Sequence, residues 1–444
     1  MVGRRKSSPR ESRPTLFRAL AVRNFRIWIA GALIANIGSW ASRTAQDWLV
    51  LTELTNDDAV AVGISLSLQF GPIFVLGPFI GPLIDRVNGR TIILITTIVE
   101  LILGLVLGVA VVLGIATLPL VYALALALGV SQAFEAPARM AFVSELVGKA
   151  NISNAVGMNS MMFNTSRLVG PAIAGLAITT AGTGWTLTIA AAAYSAAVIA
   201  ILCLRVRELH PVTKVGKAKG QFREGLRYIR GRTDIVIVLS MAFVVGALVF
   251  NFGIFSATMA VIEFGLGAHD YGFITSALAV GSMTGALVVA RSTRPRLSVI
   301  IVAAGTIAIG AALAALAPTV TMFVVLYPIV GFGAILMIAT SNSYLQVSTD
   351  DEFRGRVMAI YSTVVIGGTP FGSPLVGFVA NTLGPRWAIG VAAIGGLIAA
   401  LIGFTWMRAG HHIRTSETIR SAFRHTDAED TTATQLITIV HKAP

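Results

Sequence analysis

Ionisable side chains are expensive where this chain puts some of them. Arg43, Asp47, Glu100, Glu135, Arg139 and Arg167 lie within or at the ends of long apolar stretches. A charge held in hydrocarbon marks an ion pair, a substrate path or a proton relay. Arg43 and Asp47 have i, i+4 spacing, and so do Glu135 and Arg139. Side chains at that spacing share one helix face and can neutralise each other. Each pair is therefore either a self-contained ion pair or part of a translocation path. Glu100 has no ionisable neighbour at helical spacing. It is either a carboxyl that takes up and releases a proton or a tie to another helix, with Arg167 as the expected counter-ion. Phe250, Phe252, Phe255 and Tyr361 are either packing residues or the apolar lining of a cavity.

The elements that must hold these residues are set by a repeated length. A helix needs roughly 20 apolar residues to cross the hydrocarbon of a bilayer, and about twelve such stretches occur between Ile27 and Trp406. Of the 444 residues, 55% are hydrophobic and 12% charged, and mean hydropathy is +0.78. Charge is about half of what a soluble domain carries. The expected class is an all-α membrane protein of twelve transmembrane helices. Residues 1–26 form a basic tail and residues 27–204 a first six-helix bundle. A linker with an amphipathic helix, 205–234, leads to a second bundle, 235–406, and a mobile tail, 407–444. The first apolar stretch is too long for a cleaved signal and reads as a retained span.

Of the 34 Lys and Arg, all but Arg43, Arg167 and Arg386 lie in the two tails and alternate connections or at the span ends that face them. Such a bias marks the cytoplasmic side, so both termini are expected inside and the basic segments against membrane lipids. A net charge of +13 spread in this way does not point to nucleic acid. The single cysteine, Cys203, excludes a disulfide framework or a cysteine-rich metal site. The six histidines all lie outside the spans, and no nucleophile elbow or phosphate loop is present, so an enzyme is not expected.

The halves look like copies. The spacing between Trp185 and Trp387 also separates Gly170 from Gly372, Gly175 from Gly377 and Ser160 from Ser362. An even number of spans per copy makes the repeats parallel, facing each other across a central cavity.

Three motifs carry a family resemblance. The connection Gly81-Pro82-Leu83-Ile84-Asp85-Arg86-Val87-Asn88-Gly89-Arg90 resembles the signature of the major facilitator superfamily between its second and third spans. Gly81, Asp85, Arg86 and Arg90 fit it and imply a conformational latch; Asn88 and Gly89 depart from it. Gly170, Pro171 and Gly175 in the fifth span are similar to the antiporter signature of drug exporters, with Ser166 and Ala174 where that signature has glycine. The strings from Ala45 to Leu51, Phe134 to Arg139, Asn154 to Ser160 and Arg354 to Met358 resemble the drug:proton antiporter branch that contains siderophore exporters. The resemblance implies proton-coupled export of a small amphipathic molecule from a bacterial cell, with an importer or uncoupled facilitator of the same superfamily as the alternative. It also implies a monomer in the cell membrane, needing no cofactor or metal and driven by a proton gradient.

Overall fold

The computed structural model describes residues 17–84, 87–148, 151–210, 221–292 and 295–410. Among them every regular element is helical. In chain order the long ones are α1 (Arg23–Trp48), α2 (Ala59–Ile84), α3 (Gly89–Val112), α4 (Leu118–Val147), α5 (Ile152–Ala181) and α6 (Thr183–Leu202). The linker contributes α7 (Gln221–Arg230). There follow α8 (Thr233–Glu263), α9 (Ala268–Arg291), α10 (Leu297–Ala315), α11 (Val320–Ser348), α12 (Asp351–Leu383) and α13 (Pro385–Gly410). Among the described residues ten helices are long and apolar enough to cross a membrane. The long helices outside that group, α1 and α5, carry Asn36, Arg43, Gln46 and Asp47, and Asn154, Asn159, Asn164 and Arg167. Of these, Asn36, Arg43, Asp47 and Arg167 line the cavities described below.

Short-range chemistry sets the helix ends. Asn88 and Thr319 cap α3 and α11 by accepting from the amides of Arg90 and Met322. Gly182 and Gly384 end α5 and α12 at φ of +85° and +99°, a region that side chains with a Cβ seldom enter. They precede the stretches opened by Trp185 and Trp387, so the same turn recurs in both halves. Another recurrence was not visible in the sequence. α1 runs on into a π-helical turn, Leu49–Leu54, and α8 closes in one, Met259–Glu263. Each turn holds a carboxylate that pins the start of the last long helix of its half. Glu53 bonds the hydroxyl of Thr183, and Glu263 takes a 2.6 Å bond from Arg386 Nε.

The expected single seventh span is interrupted. α8 breaks at Val249–Asn251, where Asn251 Nδ2 donates to the Ala247 carbonyl at 2.6 Å and its Oδ1 accepts from Ser373 at 2.7 Å. The linker helix packs on the end of α12. Tyr228 stacks on Phe353 with ring centroids 4.5 Å apart, Glu224 pairs with Arg356 at 3.0 Å, and Ile229 is buried. Arg223, Arg227 and Arg230 stay exposed, so the apolar face is spent on protein and the basic face on solvent.

The halves meet along two seams, α2 against α12 and α5 against α9. The α5–α9 seam needs small residues. A Cβ on Gly175 would lie 2.6 Å from the Ala268 carbonyl oxygen, so only glycine permits the approach. Gly170 instead admits Trp40 and Ile37 of α1, within its own half. Away from the linker, a polar clasp joins the halves. Ala59 N donates to Asn381 Oδ1 at 2.8 Å, and Asn381 Nδ2 donates to Asp58 Oδ1 at 2.6 Å. Ser67 donates to the Pro370 carbonyl at 2.9 Å, and Trp48 stacks on Tyr271 at 6.1 Å.

Candidate functional site

Two cavities adjoin each other in the interior. The first, about 260 Å³, lies between the halves. α1 supplies Trp40, Arg43 and Asp47, α5 supplies Phe163 and Arg167, and the other half supplies Phe250, Phe252, Tyr271 and Thr369. The second, about 400 Å³, lies mainly within the first half and contains Glu100, Glu135, Arg139, Asn36, Gln132 and Tyr194. Trp40, Arg43, Phe70 and Phe163 border both. These residues form a partition, with Trp40 and Phe163 in edge-to-face contact at 5.7 Å.

Arg43 and Asp47 do not form the ion pair that their spacing suggested. Arg43 donates to Gln69 Oε1 at 3.0 Å and to Gln132 Oε1 at 2.9 Å, which ties α1 to α2 and α4. Its guanidinium also lies over Phe70, 5.3 Å from the ring centre. Asp47 is buried, faces the hydroxyl of Tyr271 on α9, and sits so close to Gly253 on α8 that a Cβ there would be 2.5 Å from its carboxylate. Asp47 thus belongs to the contact between halves.

The second i, i+4 pair does form. Glu135 and Arg139 are joined directly, and Arg139 also reaches Asn36 Oδ1 at 3.4 Å. Glu100 is 4% exposed, and its Oε1 has no hydrogen-bond partner. The charges that act on it are those of Glu135, Arg139 and Arg43. The expected contact between Glu100 and Arg167 is absent. Arg167 points into the first cavity, its guanidinium 5.6 Å from the ring centres of both Trp40 and Phe252. Cation–π contacts are worth about 0.5–2 kcal/mol each. They fall short of what a cation loses on leaving water, which is several kcal/mol.

The sequence-derived aromatics divide. Phe250 and Phe252 line the first cavity, whereas Phe255 and Tyr361 are packing residues, the latter donating to the Ile338 carbonyl at 2.6 Å. Of the latch motif, Asp85 and Arg86 lie outside the described residues, as do the surroundings of Gly81. Arg90 is described and makes no bond between halves. Its Nε and Nη2 donate to the Ile201 carbonyl at 3.3 and 3.1 Å, capping α6 within the first half. Gln69, Gln132, Asn36, Tyr194 and Tyr271 were missed by sequence reasoning. The available signal was a neutral polar residue inside an apolar run, which is weaker than a charge.

Comparison with known proteins agrees with this geometry. The family model for transmembrane secretion effectors matches residues 15–426. The chain is 25% identical over 389 residues to the multidrug efflux pump Tap of Mycolicibacterium fortuitum, covering 82% of this chain and 93% of that protein. It is 26% identical over 348 residues to the enterobactin exporter EntS of Shigella flexneri, covering 77% and 82%. The fold is also that of the crystal structure of a D-xylose-proton symporter, with a TM-score of 0.69 at 12% identity over 87% of this chain and 97% of that one. With a cavity between two helical halves and these relatives, the chain is a multi-pass membrane transporter and not an enzyme, and it belongs to the transmembrane secretion effector family of the major facilitator superfamily.

Proposed function

We propose that this transporter exports a small amphipathic molecule in exchange for protons, by alternating access. In this reading twelve spans form two parallel six-helix bundles in the bacterial cell membrane, with both termini in the cytoplasm. One observation carries it: a cavity between the halves, clasped at the end away from the basic linker, adjoins a chamber where Glu100 and Glu135 are buried together. Proton uptake by Glu100 removes one negative charge from a cluster otherwise balanced by Arg139 and Arg43. Arg43 stands in the wall between the chambers, so its field acts on both. The change in charge then alters which arrangement of the halves is favoured. Opening the far end breaks the Asp58–Asn381 clasp and the Trp48–Tyr271 stack. The segment holding Gly81, Asp85 and Arg86 would latch the other end in turn. Efflux as the direction is supported by the relatives named a multidrug efflux pump and an enterobactin exporter.

The test is flux of a fluorescent amphiphile in proteoliposomes with an imposed pH gradient. Wild-type flux is expected to follow the gradient, and Glu100→Gln to fall to the rate measured without one. Flux indifferent to the gradient would overturn the proposal, as would full coupling in both Glu100→Gln and Asp47→Asn.

A further inference from the structure

The geometry points to a solute that carries a negative charge beside an aromatic ring, held by Arg167 between Trp40 and Phe252. This rests on the transport reading and narrows its substrate class. Among the described residues Arg167 has neither an acidic partner nor a hydrogen-bond acceptor, although it is partly buried and its guanidinium lines the cavity. A guanidinium presents a planar fork of donors that matches an oxyanion such as a carboxylate. The rings of Trp40 and Phe252, which flank the guanidinium, belong to the cavity's wall and suit an aromatic body beside the anion. They come from different halves, Trp40 on α1 and Phe252 on α8, so one bound solute touches both sides of the seam.

The other charges in the cavity favour the same sign. Arg43 lines it while bonded to two neutral amides, so its charge is not cancelled by a contact. Asp47 is the acid among the lining residues, and it faces Tyr271. A cationic solute would meet two guanidiniums and one carboxylate, which disfavours it.

Isothermal titration of the purified full chain with naphthoate, naphthamide and naphthylmethylammonium tests the assignment. These probes share one ring system and differ in charge. The wild type is expected to prefer naphthoate over naphthamide by roughly tenfold, as a charge-assisted pair gives, and to bind the ammonium most weakly. Arg167→Gln should bring the naphthoate-to-naphthamide ratio close to one, and Arg167→Lys should keep part of it. Preference for the ammonium, equal affinity for all three, no naphthoate binding at millimolar concentration, or an unchanged ratio in Arg167→Gln would overturn the assignment. The wild-type ranking decides even where a variant fails to fold. Flux of the same probes separates the two proposals. Proton-exchanged ammonium with no naphthoate binding overturns the anion assignment alone. Naphthoate preference without gradient-driven flux overturns proton exchange alone.

Discussion

Glu100 and Glu135 share a chamber, but only one of them holds a neighbour in place. Glu135 is joined to Arg139, whereas Glu100 Oε1 has no hydrogen-bond partner. Removing one member of a buried ion pair leaves the other charge uncompensated and costs about 3–5 kcal/mol. Glu135→Gln is therefore expected to lower the thermal unfolding temperature of the solubilised protein markedly. Glu100→Gln removes no bonded partner and should cost less than about 1 kcal/mol. Equal destabilisation of the two variants would contradict this division. At this scale the sequence exposed the charges themselves, because any ionisable residue in an apolar run stands out. It could not expose their partners. Arg43 bonds Gln69 and Gln132, on two other helices, and the i, i+4 relation to Asp47 misdirected the assignment. Local spacing says which side chains can meet on one helix, while a long guanidinium chooses among every acceptor within its reach.

Helices were legible by length, and the exceptions have a common cause. α1 and α5 fall short in apolarity because they carry the residues of both cavities. The break in α8 was not legible, since it is held by the contact of Asn251 with Ser373 on a helix far along the chain. The clasp was equally hidden, because it joins the start of α2 to the end of α12. Its two cross-half hydrogen bonds contribute about 1–3 kcal/mol in total, enough to shift a two-state population by about tenfold. Asn381→Ala is expected to favour separation of the halves at that end. The measurement is the distance between spin labels at Asp57→Cys and Leu383→Cys on a Cys203→Ser background. A longer component should grow in the Asn381→Ala variant, and an unchanged distribution would mean that the clasp does not hold the halves together. The linker helix belongs to the same scale. Tyr228→Ala removes the stack on Phe353 and the bond to Asp350, so protease cleavage of the linker should accelerate.

Seen whole, the molecule is an apolar bundle with its basic residues gathered at one end. Arg205, Arg207, Arg223, Arg227, Arg230 and Arg232 cluster around the linker, whereas the far end carries Glu53, Asp57, Asp58, Glu263 and Asp270. Such asymmetry sets orientation, because positively charged connections resist translocation. Side chains along the outward face of α3, such as Ile95, Ile102, Val106 and Val109, are exposed at helical spacing, as contact with lipid requires. Cys203 makes the orientation measurable without mutation. It is the single cysteine, it is exposed, and it follows the last turn of α6 two residues before Arg205. A membrane-impermeant maleimide should therefore label the protein in inside-out vesicles and spare it in right-side-out ones. The opposite pattern would reverse the topology. It would put the clasped end of the cavity toward the cytoplasm, so the state described would be the one closed on that side, while the direction of exchange, set by the proton gradient, would stay the same.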